Sequence, residues 1–451
     1  MLELIDLILI IVYFIAIAII GYLSSKKETS KDYIIANKKL GVFSNITTLS
    51  ATKITASIII TYTALVYVFG ISAIWVYIGT GIGYIIYLFF AIKLKKEGDK
   101  HNYYSIADYF YHRYGNFTGK LVTIIINLLI FLNFTIQIIG GAMILQTLTG
   151  MSFILATILC TGVIFFYLYI GGFKAVVKTD IVQFVAIILL FIVLGVFLFS
   201  NFTYKAVQWN LMSAGPKMII PLLIVGILFP FSASDIWQRT LAAKSVKSLK
   251  KSFIITTILY ILFGFLLSLI AIIIKLKLPN IAADNALILG FTNLLPPGLL
   301  GLGLVALFAA IMSSADSFAF ISAGLLMHDI ILRGKKHNKV KSLRLGIIIV
   351  IILGIILAIS FKSILKASYL LAALFMVLSV VILATWIKKK ISEKIINVTL
   401  IIGVFVTSIT AIFIGITETL FLVAVISSLI GMVIGIIINK LYHKPLTTNR
   451  P

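Results

Sequence analysis

Polar residues cluster at a few places inside otherwise apolar runs of this 451-residue chain. In Ala309–Ser317, Ser313, Asp316 and Ser317 fall at i, i+3 and i+4, on one face of a helix. Hydroxyl and carboxylate oxygens gathered on one face suit a hard monovalent cation. The plainer reading is interhelical hydrogen bonding, worth about 1 kcal/mol. Residues 45–57 read Asn-Ile-Thr-Thr-Leu-Ser-Ala-Thr-Lys-Ile-Thr-Ala-Ser, with Lys53 near the middle. Hydroxylated side chains offer the backbone partners other than helix, so an unwound segment here would present carbonyls to a cation. Small residues also serve close helix contact, but packing alone gives no reason to bury an ammonium. The run 218–237 carries Gly226, Pro230, Ser232, Ser234 and Asp235; proline removes a backbone donor and disrupts the preceding turn. Asp180 lies a few residues into its apolar run, where it serves either function or an interfacial pair with Lys174 or Lys178.

The elements that must position these residues are spanning helices. Apolar residues make up 61% of the chain and charged residues 12%, against about 45–50% and about 25% in soluble domains. Runs of about 20 apolar residues recur from end to end, the length that crosses a bilayer as helix. The chain is therefore read as an all-α polytopic membrane protein with about 13 transmembrane helices: 4–24, 42–70, 71–94, 119–149, 152–171, 176–200, 218–237, 250–277, 298–330, 343–361, 364–387, 394–415 and 418–440. The polar span 42–70 opens a group of five ending near 200, and 218–237 opens another ending near 387. An odd number per group inserts the second group inverted. Interrupted helices at matching places in two inverted halves point to a secondary transporter with its site at the midplane.

The formal charge of +24 is explained by topology. With the N-terminus outside and the C-terminus cytoplasmic, most of the 38 Lys and Arg fall in inside segments. Outside loops hold Lys205, Lys217, Lys275, Lys277, Lys362 and Lys366, and only Lys53 lies within a span. This follows the positive-inside rule, so nucleic acid is not needed, and anionic lipid headgroups are the expected partners of the basic loops. The first apolar run is read as a retained span rather than a signal peptide. The five histidines form no ligand cluster, and Cys160 stands alone in an apolar run. No nucleophile–base pair or Gly-rich phosphate loop is evident, so the chain is read as a transporter rather than an enzyme, with no resident cofactor. A solute-sensing transceptor is the alternative from another class, against which stands the lack of an attached signalling domain; no obligatory protein partner is evident.

Further motifs run in a consistent order. Asp32-Tyr33 through Lys39-Leu40-Gly41, Gly70-Ile-Ser-Ala-Ile-Trp75, Ser105-Ile-Ala-Asp-Tyr-Phe110 with Arg113-Tyr-Gly115, and Gly171-Gly172 with Ala175-Val176, Thr179-Asp180 and Gln183 are four of them. Gln238-Arg239 with Ala242–Ser245, and Ala309–Ser317, complete the set. From about residue 32 to 390 the chain resembles the sodium:solute symporter family of galactose, proline and pantothenate carriers.

The resemblance implies a LeuT-type core of five-plus-five inverted repeats with broken first and sixth core helices. Residues 1–41 would form an extra N-terminal transmembrane helix and basic loop, 42–200 the first repeat and 201–390 the second. Residues 391–451 would form two C-terminal transmembrane helices and a basic tail. It implies Na⁺ bound by the carbonyls of Ala51, Ile54 and Ala310 and the hydroxyls of Ser313 and Ser314, with Asp180 beside the inner exit path. Thr52, Ser57, Gln137 and Phe229 would face the solute, a small polar organic molecule carried across the plasma membrane by alternating access. Two departures stand out. Thr61-Tyr-Thr-Ala64 replaces the family's Gly-Leu-Pro-Gly, and Lys53 stands where members carry an uncharged residue or Asp. An ammonium within about 6 Å of a sodium site would oppose the ion by several kcal/mol at low effective dielectric. Either Lys53 points away and pairs with Asp180 or Asp316, or it replaces the sodium ion and transport is proton-coupled or cation-independent.

Overall fold

The computed structural model describes residues 2–24, 41–51, 55–103, 105–201, 209–332, 339–387 and 391–442. Within the hydrocarbon of a bilayer every backbone N–H and C=O must be satisfied locally, and the described chain is helical almost throughout. Helix α1 spans Leu4–Ser24. Its Leu4, Ile8, Ile11, Ile15 and Ile19 are exposed, whereas Asp6 and Ile17 are buried against the other helices. An outer apolar stripe on an already apolar helix is a lipid-facing surface.

The expected span at 42–70 is two helices, α2 (Val42–Ala51) and α3 (Ala56–Phe69). A 3₁₀ turn at Gly70–Ile74 leads into α4 (Trp75–His101). Helix α5 runs Ile106–Thr149, starting earlier than the expected 119 because Ser105 and Asp108 form a capping box. It bends at Gly115, whose φ of 83° glycine tolerates. Where the sequence divides 152–171 from 176–200, a single helix, α6, runs Phe153–Asn201.

The expected break in 218–237 is present. Helices α7 (Pro216–Ser232) and α8 (Ser234–Ala242) meet at 47°. Then follow α9 (Val246–Lys277), a short α10 (Ala286–Leu294) that the hydropathy pattern did not signal, and α11 (Leu299–Gly324). A π-helical turn, Leu325–Ile331, continues α11. Helices α12 (Lys339–Phe361), α13 (Ile364–Ile387), α14 (Glu393–Phe413) and α15 (Thr419–Tyr442) complete the bundle. Among the described residues eight helices are long and apolar enough to cross a membrane, nine with the bent pair. The described stretches Leu4–Ile17 of α1 and Phe153–Phe166 and Ala186–Phe197 of α6 are apolar as well.

Helix α11 sits at the centre. It packs on α1, α3, α5, α6 and α12, and 78% of its most apolar window is buried, against 28% for α14. The polar residues of 309–317 therefore lie on the most enclosed span, while α14 and α15 pair at the periphery.

Candidate functional site

Helix α11 begins with help from another helix. Its first free amides, a standing need of every helix N-terminus, are met at Gly298 N and Gly301 N, which donate to Asp6 Oδ1 of α1 at 2.8 and 2.7 Å. Further along, the Ser313 hydroxyl donates to the Ala310 carbonyl at 3.3 Å. Ser314, one residue on, is buried. Three of the five oxygens expected around a cation are thus together on α11, on the span that packs against α3. Asp316 is 1% exposed; its Oδ1 accepts from Ser317 N at 2.6 Å, and its Oδ2 has no hydrogen-bond partner among the described residues. The i, i+3, i+4 face read from sequence is therefore an interior face.

The expected first interruption lies between α2 and α3, and α3 packs on α11. Helix α2 is described as far as Ala51. Helix α3 restarts after Thr55, which is extended (φ −93°, ψ 153°) and whose hydroxyl accepts from Ile58 N at 3.2 Å. A threonine N-cap does here what a glycine–proline sequence could do elsewhere. Thr61–Ala64 stay helical, and they hold α3 in place: Thr61 Oγ1 is 2.9 Å from Ser368 Oγ of α13, and Tyr62 OH is 2.6 Å from Ser268 Oγ of α9. Thr52, Lys53 and Ile54 lie outside the described residues, as do the side chains of Ala51, Ser57 and Asp180. The expected pairing of Lys53 with Asp180 or Asp316 falls with them.

The second interruption is held both by its own flank and by other helices. Ala233 leaves the helical region (φ −71°, ψ 105°). The buried Trp237 ring donates to the Phe231 carbonyl at 2.6 Å, and Ser379 of α13 donates to the Leu228 carbonyl at 2.7 Å while its oxygen lies 2.8 Å from Ser232 Oγ. On the other flank Gly226 lets α7 approach α4 closely: a Cβ there would stand 2.3 Å from Val76 O and 2.6 Å from Thr80 N. Of the expected solute-facing residues, Gln137 is fully buried on α5, a helix that packs on both α3 and α11. Phe229 is half-buried on α7 and meets Phe375 of α13 edge-on at 5.2 Å. Gln137 thus lies on a helix that packs on α3, and Phe229 close to the second interruption.

Several positioning residues went unread in the sequence. Asp6 is passed over in the sequence reading, although a carboxylate in an apolar helix is signal enough. Gln183 also gains a structural role. Its Nε2 donates to Tyr13 OH at 2.8 Å, tying α6 to α1. Thr55, Trp237 and Ser379 carry no motif by which their capping or bracing could be foreseen.

A helical bundle with two core helices interrupted around a polar, enclosed span is the architecture of a multi-pass secondary transporter. The sodium:solute symporter family model matches residues 33–414, and the chain belongs to that family. It is similar to a sodium/pantothenate symporter of Haemophilus influenzae, 27% identical over 73% of this chain and 72% of that protein. It is also similar to an osmoregulated proline transporter of Bacillus subtilis, 28% identical over 78% of this chain and 77% of that one. Among solved structures, a Na⁺-coupled sialic acid symporter in a substrate-bound outward-open state matches with a TM-score of 0.75 at 18% identity, covering 96% of this chain and 98% of its own. Mhp1 in an inward-facing conformation matches with a TM-score of 0.56 at 13% identity, covering 92% and 95%. The fold is LeuT-type, and the protein is a membrane transporter that couples Na⁺ to a small solute.

Proposed function

We propose that this protein carries a small neutral, zwitterionic or monoanionic organic solute with Na⁺ across the plasma membrane, residues 42–200 and 201–390 moving as inverted repeats. The N-terminus lies outside and the basic loops face the cytoplasm. Sodium is held by the carbonyls of Ala51, Ile54 and Ala310 and the hydroxyls of Ser313 and Ser314. The observation that carries this reading is the Ala310 carbonyl and Ser313 hydroxyl, 3.3 Å apart beside the buried Ser314 on α11. Oxygens so placed replace the water shell of a hard cation. Solute binding between the interrupted helices, near Thr52, Ser57, Gln137 and Phe229, is supported by the burial of Gln137 and by Phe229 lying just before the second interruption. Proline and pantothenate, carried by relatives, both fall in the proposed solute class. With Na⁺ as the ion, Lys53 points away from it, toward Asp180 or Asp316.

A sodium titration of thermal stability at fixed ionic strength tests this without knowledge of the solute, because a ligand that binds the folded state stabilises it by mass action. The wild type is expected to show a saturable shift with Na⁺ and none with choline. Ser313→Ala with Ser314→Ala is expected to weaken the apparent affinity by about tenfold or more, about 1.4 kcal/mol. An unchanged affinity in that double variant removes the proposed site. A shift that appears only in Lys53→Ala means that the ammonium occupies the ion's place and that coupling belongs to protons.

A further inference from the structure

An opening in the molecule has Ser50, the neighbour of the proposed cation ligand Ala51, in its wall. Between α2, α6 and α9 is a crevice of about 180 Å³ whose walls include Ser50, Ile188, Thr256, Phe263 and Leu266. At its mouth Ile192, Leu259 and Leu262 are 48%, 44% and 59% exposed, so it opens onto the lipid-facing surface. Two features mark it as more than a packing gap. Ser50 and Thr256, 6% and 2% exposed, line it with hydroxyl oxygens that have no hydrogen-bond partner among the described residues. A buried hydroxyl without a partner is costly, and the cost falls when a ligand supplies one. In addition, Lys251, Ile255, Ile258 and Leu262 of α9 stand at i, i+4, i+7 and i+11, and all are exposed. That single stripe leads from a cation to the crevice mouth.

We propose that the crevice holds an acyl chain of an anionic phospholipid whose phosphate sits on Lys251. Apolar cavities of about 150 Å³ bind hydrocarbon readily, and this one opens where lipid chains are the solvent. Thr256 lies about 7.5 Å further along α9 than Lys251 and about 140° around it, a separation that the lysine stem and the lipid's glycerol span together. The ester carbonyl then accepts from the Ser50 and Thr256 hydroxyls, and the chain lies along Leu259, Phe263 and Leu266. Ser50 belongs to the last turn of α2. The bound lipid therefore touches the helix that ends at the first interruption.

The test uses the full-length protein reconstituted with phosphatidylglycerol carrying a mid-chain diazirine, with labelled peptides mapped after photolysis. Label is expected on peptides containing 188–192 and 259–266, in several-fold excess over matched phosphatidylcholine. Leu262→Trp, which plugs the mouth from the lipid side, is expected to lower it at least fivefold. Lys251→Gln is expected to bring it down to the phosphatidylcholine level. Both side chains face lipid, so unchanged thermal unfolding will show that neither variant acts through misfolding. Thr256→Val is expected to weaken labelling about threefold. Equal labelling by the two lipids in the wild type, or labelling that ignores Leu262→Trp, overturns the proposal. So does a free fatty acid that competes as well as unlabelled phosphatidylglycerol, because the occupant is then a single-chain acid.

Discussion

The interruption between α2 and α3 and the bend between α7 and α8 solve one problem by different means. Breaking a helix inside a bilayer strands backbone donors and acceptors that no water will meet. At the first break the partner is local: Thr55 caps the helix that follows it, three residues away. At the second, a local partner, the Trp237 indole six residues after the Phe231 carbonyl, is joined by one from another helix, the Ser379 hydroxyl of α13. Helix α3 is also tied to α13 and α9 through Thr61 and Tyr62, whereas the second break is itself fastened, to α13 on one side and α4 on the other.

The contrast can be broken by substitution. Gly226→Ala is expected to have the largest effect, about 3 kcal/mol of destabilisation, because overpacking is relieved only by separating α7 from α4. Its melting temperature in detergent checks this, and a wild-type value would mean the two helices are not locked together. Trp237→Phe keeps the ring but leaves the buried Phe231 carbonyl without its donor. The expected loss is about 2 kcal/mol; a loss no larger than that of a surface substitution would show the brace to be dispensable. Thr55→Ala is expected to cost about 1 kcal/mol, the usual value of an N-cap, and Thr55→Ser to restore it. If Thr55→Ala instead exceeded Trp237→Phe, the cap would matter more to its break than the indole brace does to the other.

Much of the fold was legible from the sequence. Apolar runs and the positions of hydroxyls, prolines and glycines disclosed helices, and both interruptions lie within the spans singled out for them. The Ala309–Ser317 face was legible because helical spacing alone puts Ser313 and Asp316 together. What stayed hidden depends on contacts distant in the chain. Nothing local distinguishes Ser379 from any other serine in an apolar helix; its use comes from α13 lying against α7. The boundary expected between 171 and 176 failed for a related reason. Glycines and lysines end a hydrophobic run without ending a helix, and α6 continues through them.

Asp6 has a consequence for how the protein is made. Its carboxylate bonds to Gly298 and Gly301, 292 and 295 residues further along the chain. At a synthesis rate of about 5–20 residues per second, the first helix waits about 15–60 s for those partners to emerge. Asp6 lies in the first turn of α1, so it can wait among lipid headgroups while the rest of the helix is already inserted. The seating of α1 thus depends on α11, a segment made long after it.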